Sequence, residues 1–189
     1  MEWFTAAERF TNALASADPT PGGGAAAAQV GAMGCALAMM ATGTTLKRKT
    51  IAAEVRMRLE KSLKRLGSLK TELSAYVQKD ADAYSAYLTA CKLPKEDPSR
   101  AHALEQALLF AARVPADTAT TAVEVLKEIE TVKTDIADII FSDIVCAKHL
   151  LQACIRCAVE NIRANLVFIK NDDCKVSLEK QIAVFLKSC

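Results

Sequence analysis

The chain has 189 residues, of which 51% are apolar and 24% are charged, so a disordered chain is excluded and a single domain over residues 1–189 is predicted. The 34 alanines favour helix, and seven glycines with five prolines are too few for the turns of a β-sandwich or β-barrel. A formal net charge of +2 gives no general signal for nucleic-acid binding, and no nucleic-acid partner is expected.

The prolines and glycines divide the chain into long uninterrupted segments, which predicts an all-α multi-helix bundle. The expected helices are, in chain order, residues 2–17, 25–42, 50–91, 99–113, one that begins at Pro115, 135–170 and 173–187. Pro115 is placed at a helix start because proline is favoured in the first turn. The third and sixth of these segments are the two long helices of the predicted bundle.

The second helix lies in a segment, Pro21 to Leu46, that has no charged side chain. This segment is long enough to span a bilayer. It consists mostly of Ala, Gly and Thr, however, whereas insertion requires large aliphatic side chains. We therefore expect a central helix surrounded by other helices, and no membrane partner.

The cysteines bear on compartment and metal binding. There are seven, an odd number, and the chain opens Met1-Glu2-Trp3 without the basic start of a secretory signal. A reduced, cytoplasmic protein is the simplest interpretation. Four possible zinc ligands from Cys146 to Cys157 are spread over about 16 Å of one predicted helix, too far for one ion, so no metal site is expected.

A glycine loop, Pro21-Gly22-Gly23-Gly24, precedes the second helix. The free N–H groups of a helix start favour an anion or a developing negative charge. No Gly-Lys-Ser/Thr follows and no strand precedes, so the loop is neither a P-loop nor a dinucleotide motif. From the residues alone, a tight turn and a binding site remain equal alternatives.

Asp80 interrupts an apolar face of the third helix. The face recurs at spacings of three and four and comprises Leu66, Leu69, Leu73, Tyr76, Asp80, Ala83, Tyr87 and Ala90. A carboxylate there costs free energy unless it is paired or used, and burial would raise its pKa toward the range useful for proton transfer. Asp82 points about 200° away and is expected in solvent. Two alternatives remain for Asp80: a catalytic acid/base or a buried ion pair.

The sixth helix repeats this pattern. Its predicted inward face comprises Ile136, Ile139, Asp143, Cys146, Leu150, Ala153, Cys157, Asn161, Ala164 and Phe168. Asp143 and Asn161 are the polar interruptions and lie about 27 Å apart along the axis, so they cannot serve one small site in one subunit. Each is either a site residue or a structural hydrogen-bond partner.

A basic strip runs from residue 47 to residue 70. It contains nine Lys and Arg side chains, including Lys47 and Lys49, opposed only by Glu54 and Glu60. Such a patch could attract a polyanionic ligand, and a solvated helix face is the alternative.

The segment 19–28, with the small-residue helix that follows, resembles the folate-linked cyclodeaminase/cyclohydrolase family. This is the family of the cyclodeaminase half of formiminotransferase-cyclodeaminase and of stand-alone methenyltetrahydrofolate cyclohydrolases. The resemblance continues in chain order through residues 47–49, 80–84, 92–95, 114–115, 142–143, 161 and 165–166. The chain departs from the family at Ala25, where Ser often follows the glycines, and in residues 136–141, which lack a Gly-Asn turn.

The resemblance implies a helical homodimer that binds a folate near its subunit interface. The implied reaction is either conversion of 5-formiminotetrahydrofolate to 5,10-methenyltetrahydrofolate with loss of ammonia, or hydrolysis of the methenyl bridge. Neither reaction needs a cofactor beyond the tetrahydrofolate substrate. The alternative, favoured by the two departures, is a catalytically degenerate folate-binding or scaffold protein of the same fold.

The resemblance also implies roles for individual residues. Asp80 is the candidate acid/base, Asp143 would bind the pterin edge, and Asn161 would lie in the substrate site. The remaining candidates would hold the folate carboxylates and are Pro21, Gly22, Gly23, Gly24, Lys47 and Lys49. An Asp80 that lines an open cleft would favour the enzyme, and a fully paired Asp80 in a closed core would favour the scaffold.

Overall fold

The structure is a computed structural model that describes residues 2–189, with the backbone alone for Glu2 and Trp3. Within residues 2–189 there are six α-helices and no β-strand, which confirms the predicted all-α class. The helices are α1 (Glu2–Leu14), α2 (Gly23–Leu46), α3 (Ala53–Cys91), α4 (Arg100–Val132), α5 (Phe141–Leu166) and α6 (Asp172–Lys187). Two short 3-10 turns, Lys133–Asp135 and Asp138–Ile140, connect α4 to α5.

The α2 helix occupies the centre of the bundle and packs against α3, α4 and α5. Its small side chains permit close approach: a Cβ added at Gly34 would lie 3.0 Å from the backbone oxygen of Ala147 in α5. By length and apolar composition α2 could also cross a membrane, but half of it or more is buried among the other helices, as in the core of a helical bundle.

The apolar face predicted for α3 is confirmed. Leu66, Leu69 and Leu73 are fully buried, and Ala83 and Ala90 nearly so. The other members, Tyr76, Asp80 and Tyr87, are half-buried where the face approaches one end of the bundle. The period of three and four residues therefore fixed the orientation of this helix correctly.

The predicted break at Pro115 is wrong, because α4 runs without interruption from Arg100 to Val132 with Pro115 inside it. A proline has no N–H, so the carbonyl of Ala111, four residues earlier, loses its usual helical partner. The side-chain amide of Asn165 in α5 donates to that carbonyl instead, with Nδ2 2.9 Å from the oxygen. A bond from a neighbouring helix thus compensates for the proline, and α3 and α4 are the two longest helices.

The predicted sixth helix is wrong in extent and in orientation. The α5 helix begins at Phe141, because the preceding residues form the 3-10 turns and Ala137 donates its N–H to Thr45 Oγ1 at 3.2 Å. The predicted inward face is largely exposed, with Ile139 92% accessible. The buried side chains of α5 are instead Ile144, Ala147, Leu151, Cys154, Ile155, Ala158, Val159 and Ile162. Small apolar residues occur on both faces of this helix, so their spacing did not determine which one is buried.

The bundle has two ends that differ in content. The α2 and α5 helices run antiparallel, since Gly23 faces Asn161 at one end and Thr45 contacts Ala137 at the other. We call the first the cleft end and the second the distal end.

Candidate functional site

A cavity of about 390 Å³ opens at the cleft end, where α2 begins. It is formed by the glycine loop, the second half of α3, the first half of α4 and the end of α5. Its lining comprises Pro19, Thr20, Gly22, Gly23, Gly24, Asp80, Ala83, Tyr84, Tyr87, Leu108, Ala111, Asn161, Asn165 and Phe168. The structure thus brings together five predicted site residues, Gly22, Gly23, Gly24, Asp80 and Asn161.

Asp80 meets the first turn of α2. Its Oδ2 accepts a hydrogen bond from the backbone N–H of Ala25 at 2.9 Å. This N–H is one of the donors that a helix start leaves without an intrahelical partner, and the positive end of the helix dipole lies there. A carboxylate from α3 therefore takes the place of the usual side-chain cap, since Gly22 itself provides none.

Gly24 makes this approach possible. A Cβ added at Gly24 would lie 2.0 Å from Asp80 Oδ1, far inside any real contact. A Cβ at Gly23 would lie 3.4 Å from Asn161 Nδ2, an ordinary van der Waals contact. The close approach of Asp80 to the backbone therefore requires glycine at position 24.

Burial raises the pKa of Asp80 above its usual value of 3.8, and the hydrogen bond from Ala25 partly offsets the rise. Asp80 forms no ion pair with any described residue. Within this part of the chain, the alternative that Asp80 belongs to a buried ion pair is therefore wrong. Its Oδ1 accepts no hydrogen bond from any side chain or backbone group that the structure describes. One oxygen is therefore held in place while the other is available to a ligand.

Two asparagines of α5 form the opposite wall. Asn161 Nδ2 donates to the carbonyl of Cys157 at 2.8 Å, and Asn165 Nδ2 donates to Ala111 and to Asn161. Asn165 thus donates two hydrogen bonds inside the protein and Asn161 donates one, and both amides keep Oδ1 as an acceptor for a ligand. Asn165 was not among the predicted site residues, although Pro115 signalled a carbonyl in need of a donor.

Aromatic side chains border the cavity. Tyr84 and Tyr87 project from α3, and Phe168 follows α5 with 60% of its surface exposed. An exposed phenylalanine beside a polar cavity is suited to contact a planar ring. Leu108 and Phe168 were also missed as site residues, because nothing in their spacing distinguishes them from core positions.

Other predicted site residues lie elsewhere in the same subunit. Lys47 and Lys49 follow the end of α2, about 35 Å from Gly23 along the helix. Asp143 lies in the first turn of α5, also at the distal end. Pro21 follows a cis peptide bond and is the member of the glycine loop that does not line the cavity. Roles for these residues in substrate binding stay predictions.

The basic strip has partners within the chain. Arg58 forms a two-bond contact with Asp135, with Nε 2.6 Å from Oδ2 and Nη2 2.8 Å from Oδ1. Arg65 pairs with Glu124, and Arg56 donates to backbone carbonyls. Part of this strip is thus accounted for by contacts between helices.

Across the described residues, no three His, Cys, Asp or Glu side chains are grouped closely enough to hold a metal ion. The polar chemistry of the cavity is instead a carboxylate with a raised pKa, two amide oxygens and the start of a helix. This set can take up and release a proton, and it can accept hydrogen bonds from a ligand rich in N–H groups.

Comparison with known proteins gives consistent matches. The profile of the formiminotransferase-cyclodeaminase family matches residues 6–184. The chain is 39% identical over 112 residues to a methenyltetrahydrofolate cyclohydrolase from Methylorubrum extorquens, covering 57% of this chain and 53% of that protein. It is 30% identical over 186 residues to a formimidoyltransferase-cyclodeaminase from Sus scrofa, covering 94% of this chain and 34% of that protein.

A solved structure matches as well. The crystal structure of formiminotetrahydrofolate cyclodeaminase from Thermotoga maritima superposes with a TM-score of 0.86 at 26% identity, over 96% of this chain and 88% of that one. The chain thus spans about half and about a third of the lengths of the two sequence relatives, and nearly all of this structural one.

Proposed function

The chain belongs to the formiminotransferase-cyclodeaminase family, and we propose from this that it is an enzyme acting on tetrahydrofolate derivatives. The reaction is either that of a formiminotetrahydrofolate cyclodeaminase or that of a methenyltetrahydrofolate cyclohydrolase. The names of its relatives include both activities. The family resemblance noted in the sequence is thereby confirmed.

The observation that carries the proposal is the state of Asp80. It lines an open cavity, one of its oxygens is fixed by the start of α2, and the other has no partner in the described structure. A purely structural cap would gain most from a closed surrounding in which both oxygens are bonded. The position of Asp80 therefore favours an acid/base role over the scaffold alternative.

In the cyclodeaminase reaction, N10 of 5-formiminotetrahydrofolate attacks the carbon of the protonated formimino group, –CH=NH2+, whose C=N electron pair moves to nitrogen as the ring closes. Ionised Asp80 takes the proton from N10 as the new C–N bond forms. It then gives this proton to the formimino nitrogen, which leaves as ammonia when its bond to the carbon breaks. The same carboxylate is base and then acid, which suits a group whose pKa is raised toward the working pH.

In the cyclohydrolase reaction, water replaces N10 as the nucleophile. Asp80 takes a proton from the water that adds to the methenyl carbon, and returns it to N5 as the C–N5 bond breaks. The remaining hydroxyl proton of the adduct is released to solvent as the formyl C=O bond forms. The product is 10-formyltetrahydrofolate. In both reactions Asn161 and Asn165 would accept hydrogen bonds from the pterin N–H groups, and no cofactor other than the folate is required.

Ala25 is relevant to the alternative that the chain is a catalytically degenerate folate-binding or scaffold protein. It replaces the serine common in the family, but its contact with Asp80 is made by the backbone N–H, which every residue except proline provides. The missing Gly-Asn turn lies between α4 and α5 at the distal end, away from Asp80. Neither departure removes a group from the cavity of this subunit.

The proposed enzyme is a cytoplasmic homodimer. Adjacent helices present exposed apolar side chains, Met33 and Met40 on α2 and Val145 on α5. The face of α5 predicted to be inward, with Cys146, Ala153 and Cys157, is also exposed. A second copy that covers this surface in a two-fold arrangement would bring its distal end near the cleft of the first. Lys47, Lys49 and Asp143 would then serve the partner's substrate.

The decisive experiment compares Asp80→Asn with Asp82→Asn. Each protein receives 5-formiminotetrahydrofolate, and separately methenyltetrahydrofolate, while the absorbance of the methenyl compound is followed. We expect Asp80→Asn to lose about 10²- to 10⁴-fold in kcat, the usual range for a general acid/base. Its amide oxygen can still accept from Ala25, so the fold should persist.

Asp82→Asn is the matched control, because Asp82 lies on the same helix, is exposed, and bonds only Gln78 among the described side chains. It should retain the activity of the wild type. If the wild type converts neither compound, the enzyme proposal fails and the folate-binding alternative takes its place. If Asp80→Asn remains fully active, the acid/base role fails.

A further inference from the structure

A second cavity of about 500 Å³ adjoins the one that contains Asp80. The two share the lining residues Tyr87, Leu108 and Phe168, so they lie on either side of these side chains. Together they follow α4 from Ala111 back to Ala101, about 15 Å along the helix axis. The second cavity lies away from Asp80, toward the loop between α3 and α4.

The two cavities differ in chemistry. The second one carries two cationic side chains, Arg100 and Lys170, together with His102, against one carboxylate, Glu105. Its floor is apolar and includes Leu104, Leu108 and Ile169. Apolar side chains between a carboxylate at one end and two cations at the other suit an elongated ligand with an uncharged middle and an anionic end.

Arg100 is positioned to bind an anion. Its Nε donates to the carbonyl of Leu93 at 3.1 Å, which fixes the guanidinium and leaves both terminal nitrogens without a described hydrogen bond. No ion pair of Arg100 with any described carboxylate occurs. A held guanidinium with two free nitrogens matches the two oxygens of a carboxylate.

We infer that this second cavity binds the glutamyl carboxylates of the folate, with Arg100 and Lys170 as their cationic partners. The inference rests on the proposed function, which supplies the ligand. The pterin would lie beside Asp80, the aminobenzoyl ring would pass between Tyr87 and Phe168, and the glutamate would reach Arg100. Lys47 and Lys49 of the same subunit cannot do this, because they lie at the distal end.

The test measures binding by calorimetry for two probes, 5-formyltetrahydrofolate and the corresponding tetrahydropteroate that lacks glutamate. Wild type is expected to bind the glutamate-bearing probe about tenfold more tightly. Arg100→Gln and Lys170→Gln should each weaken binding of that probe by about three- to tenfold and leave the tetrahydropteroate unchanged. Lys180→Gln, an exposed position on α6 outside both cavities, is the control for a general loss of charge.

Two outcomes would overturn the inference. Either wild type binds both probes equally, or the variants weaken both probes by the same factor, which indicates a structural effect. Arg100→Lys tests whether such a structural effect is present. This variant keeps the positive charge and should therefore recover part of the affinity difference between the two probes. If the probes are discriminated as expected but no turnover occurs, the tail site stands and the proposed activity fails. If wild type binds neither probe, both proposals fall.

Discussion

Carboxylates at the two ends of the bundle differ in their partners. At the distal end Asp135 pairs with Arg58, and Glu130 pairs with Lys148 at 2.8 Å. At the cleft end Asp80 has no ionic partner among the described residues and accepts a hydrogen bond from the N–H of Ala25. Paired charges in solvent contribute little beyond local order, whereas a half-satisfied carboxylate in a cavity retains capacity for chemistry. The lack of an ionic partner therefore distinguishes Asp80 from these paired carboxylates.

The largest effect is expected from a change that forces the cleft apart. In Gly24→Ala the new Cβ would lie 2.0 Å from Asp80 Oδ1, so the carboxylate or the helix start must move. We expect a loss of stability of about 1–3 kcal/mol and a fall in kcat of at least about 10²-fold. Chemical denaturation and the methenyl absorbance assay measure the two effects. Activity close to that of wild type would show that the contact between Asp80 and α2 is not needed.

The second effect concerns pH. Because burial raises the pKa of Asp80 above 3.8, the acid limb of kcat/KM should lie above the range of an ordinary aspartate, with activity rising as the carboxyl ionises. Stability should change in the opposite sense: it falls as pH rises from 3.8 through the folded-state pKa, since the folded state holds its proton longer. Asp80→Asn should abolish this part of the pH dependence of stability. If the acid limb of kcat/KM is the same in Asp82→Asn as in the wild type, it does not arise from Asp82, which supports its assignment to Asp80.

A third prediction asks whether the distal end serves a second subunit. The double variant Lys47→Gln/Lys49→Gln should raise KM about threefold or more with kcat little changed, because both residues would contact the partner's substrate. Mixed with Asp80→Asn, it should recover the KM of the wild type as mixed dimers form, each with one intact site. Light scattering verifies the dimer. Lack of recovery in verified mixed dimers would place these lysines outside the site.

The smallest effect is expected at Gly43, in the last turn of α2 at the distal end and far from Asp80. A Cβ added at Gly43 meets nothing within 4 Å, so Gly43→Ala should gain about 0.5–1 kcal/mol from helix propensity. Activity should not change. Thermal unfolding detects the gain, and a decrease in the melting temperature would contradict it. Compared with Gly24→Ala, this variant distinguishes a glycine that is required for close contact with another helix from one that is not.

The sequence predicted the helical class and the orientation of α3, because large leucines on one side of that helix leave little ambiguity. It also brought Asp80 and the glycine loop to notice, since a carboxylate and three glycines each violate a local pattern. The orientation of α5 could not be obtained in this way. Its cysteines, alanines and isoleucines occur all round the helix, and a contact with α2 at Gly31 and Gly34 determines which face is buried.

The rest of the site depends on pairings between distant segments. Asn165 and Phe168 enter the cavity because α5 ends beside α4, and no spacing along the chain encodes that neighbourhood. The predicted helix start at Pro115 was wrong for a related reason. Its local preference for a helix start was overridden by a hydrogen bond supplied from another helix.

That hydrogen bond also constrains how the sequence can change. Asn165→Ala alone would leave the Ala111 carbonyl without its donor, whereas Pro115→Ala would restore an N–H from within α4. The effects of the two substitutions are therefore not additive. The loss of stability that follows from removing the asparagine becomes small once the proline has gone. The order in which these two positions are substituted during evolution therefore matters. Replacing the proline first and the asparagine second keeps the protein stable, whereas the reverse order passes through a less stable protein.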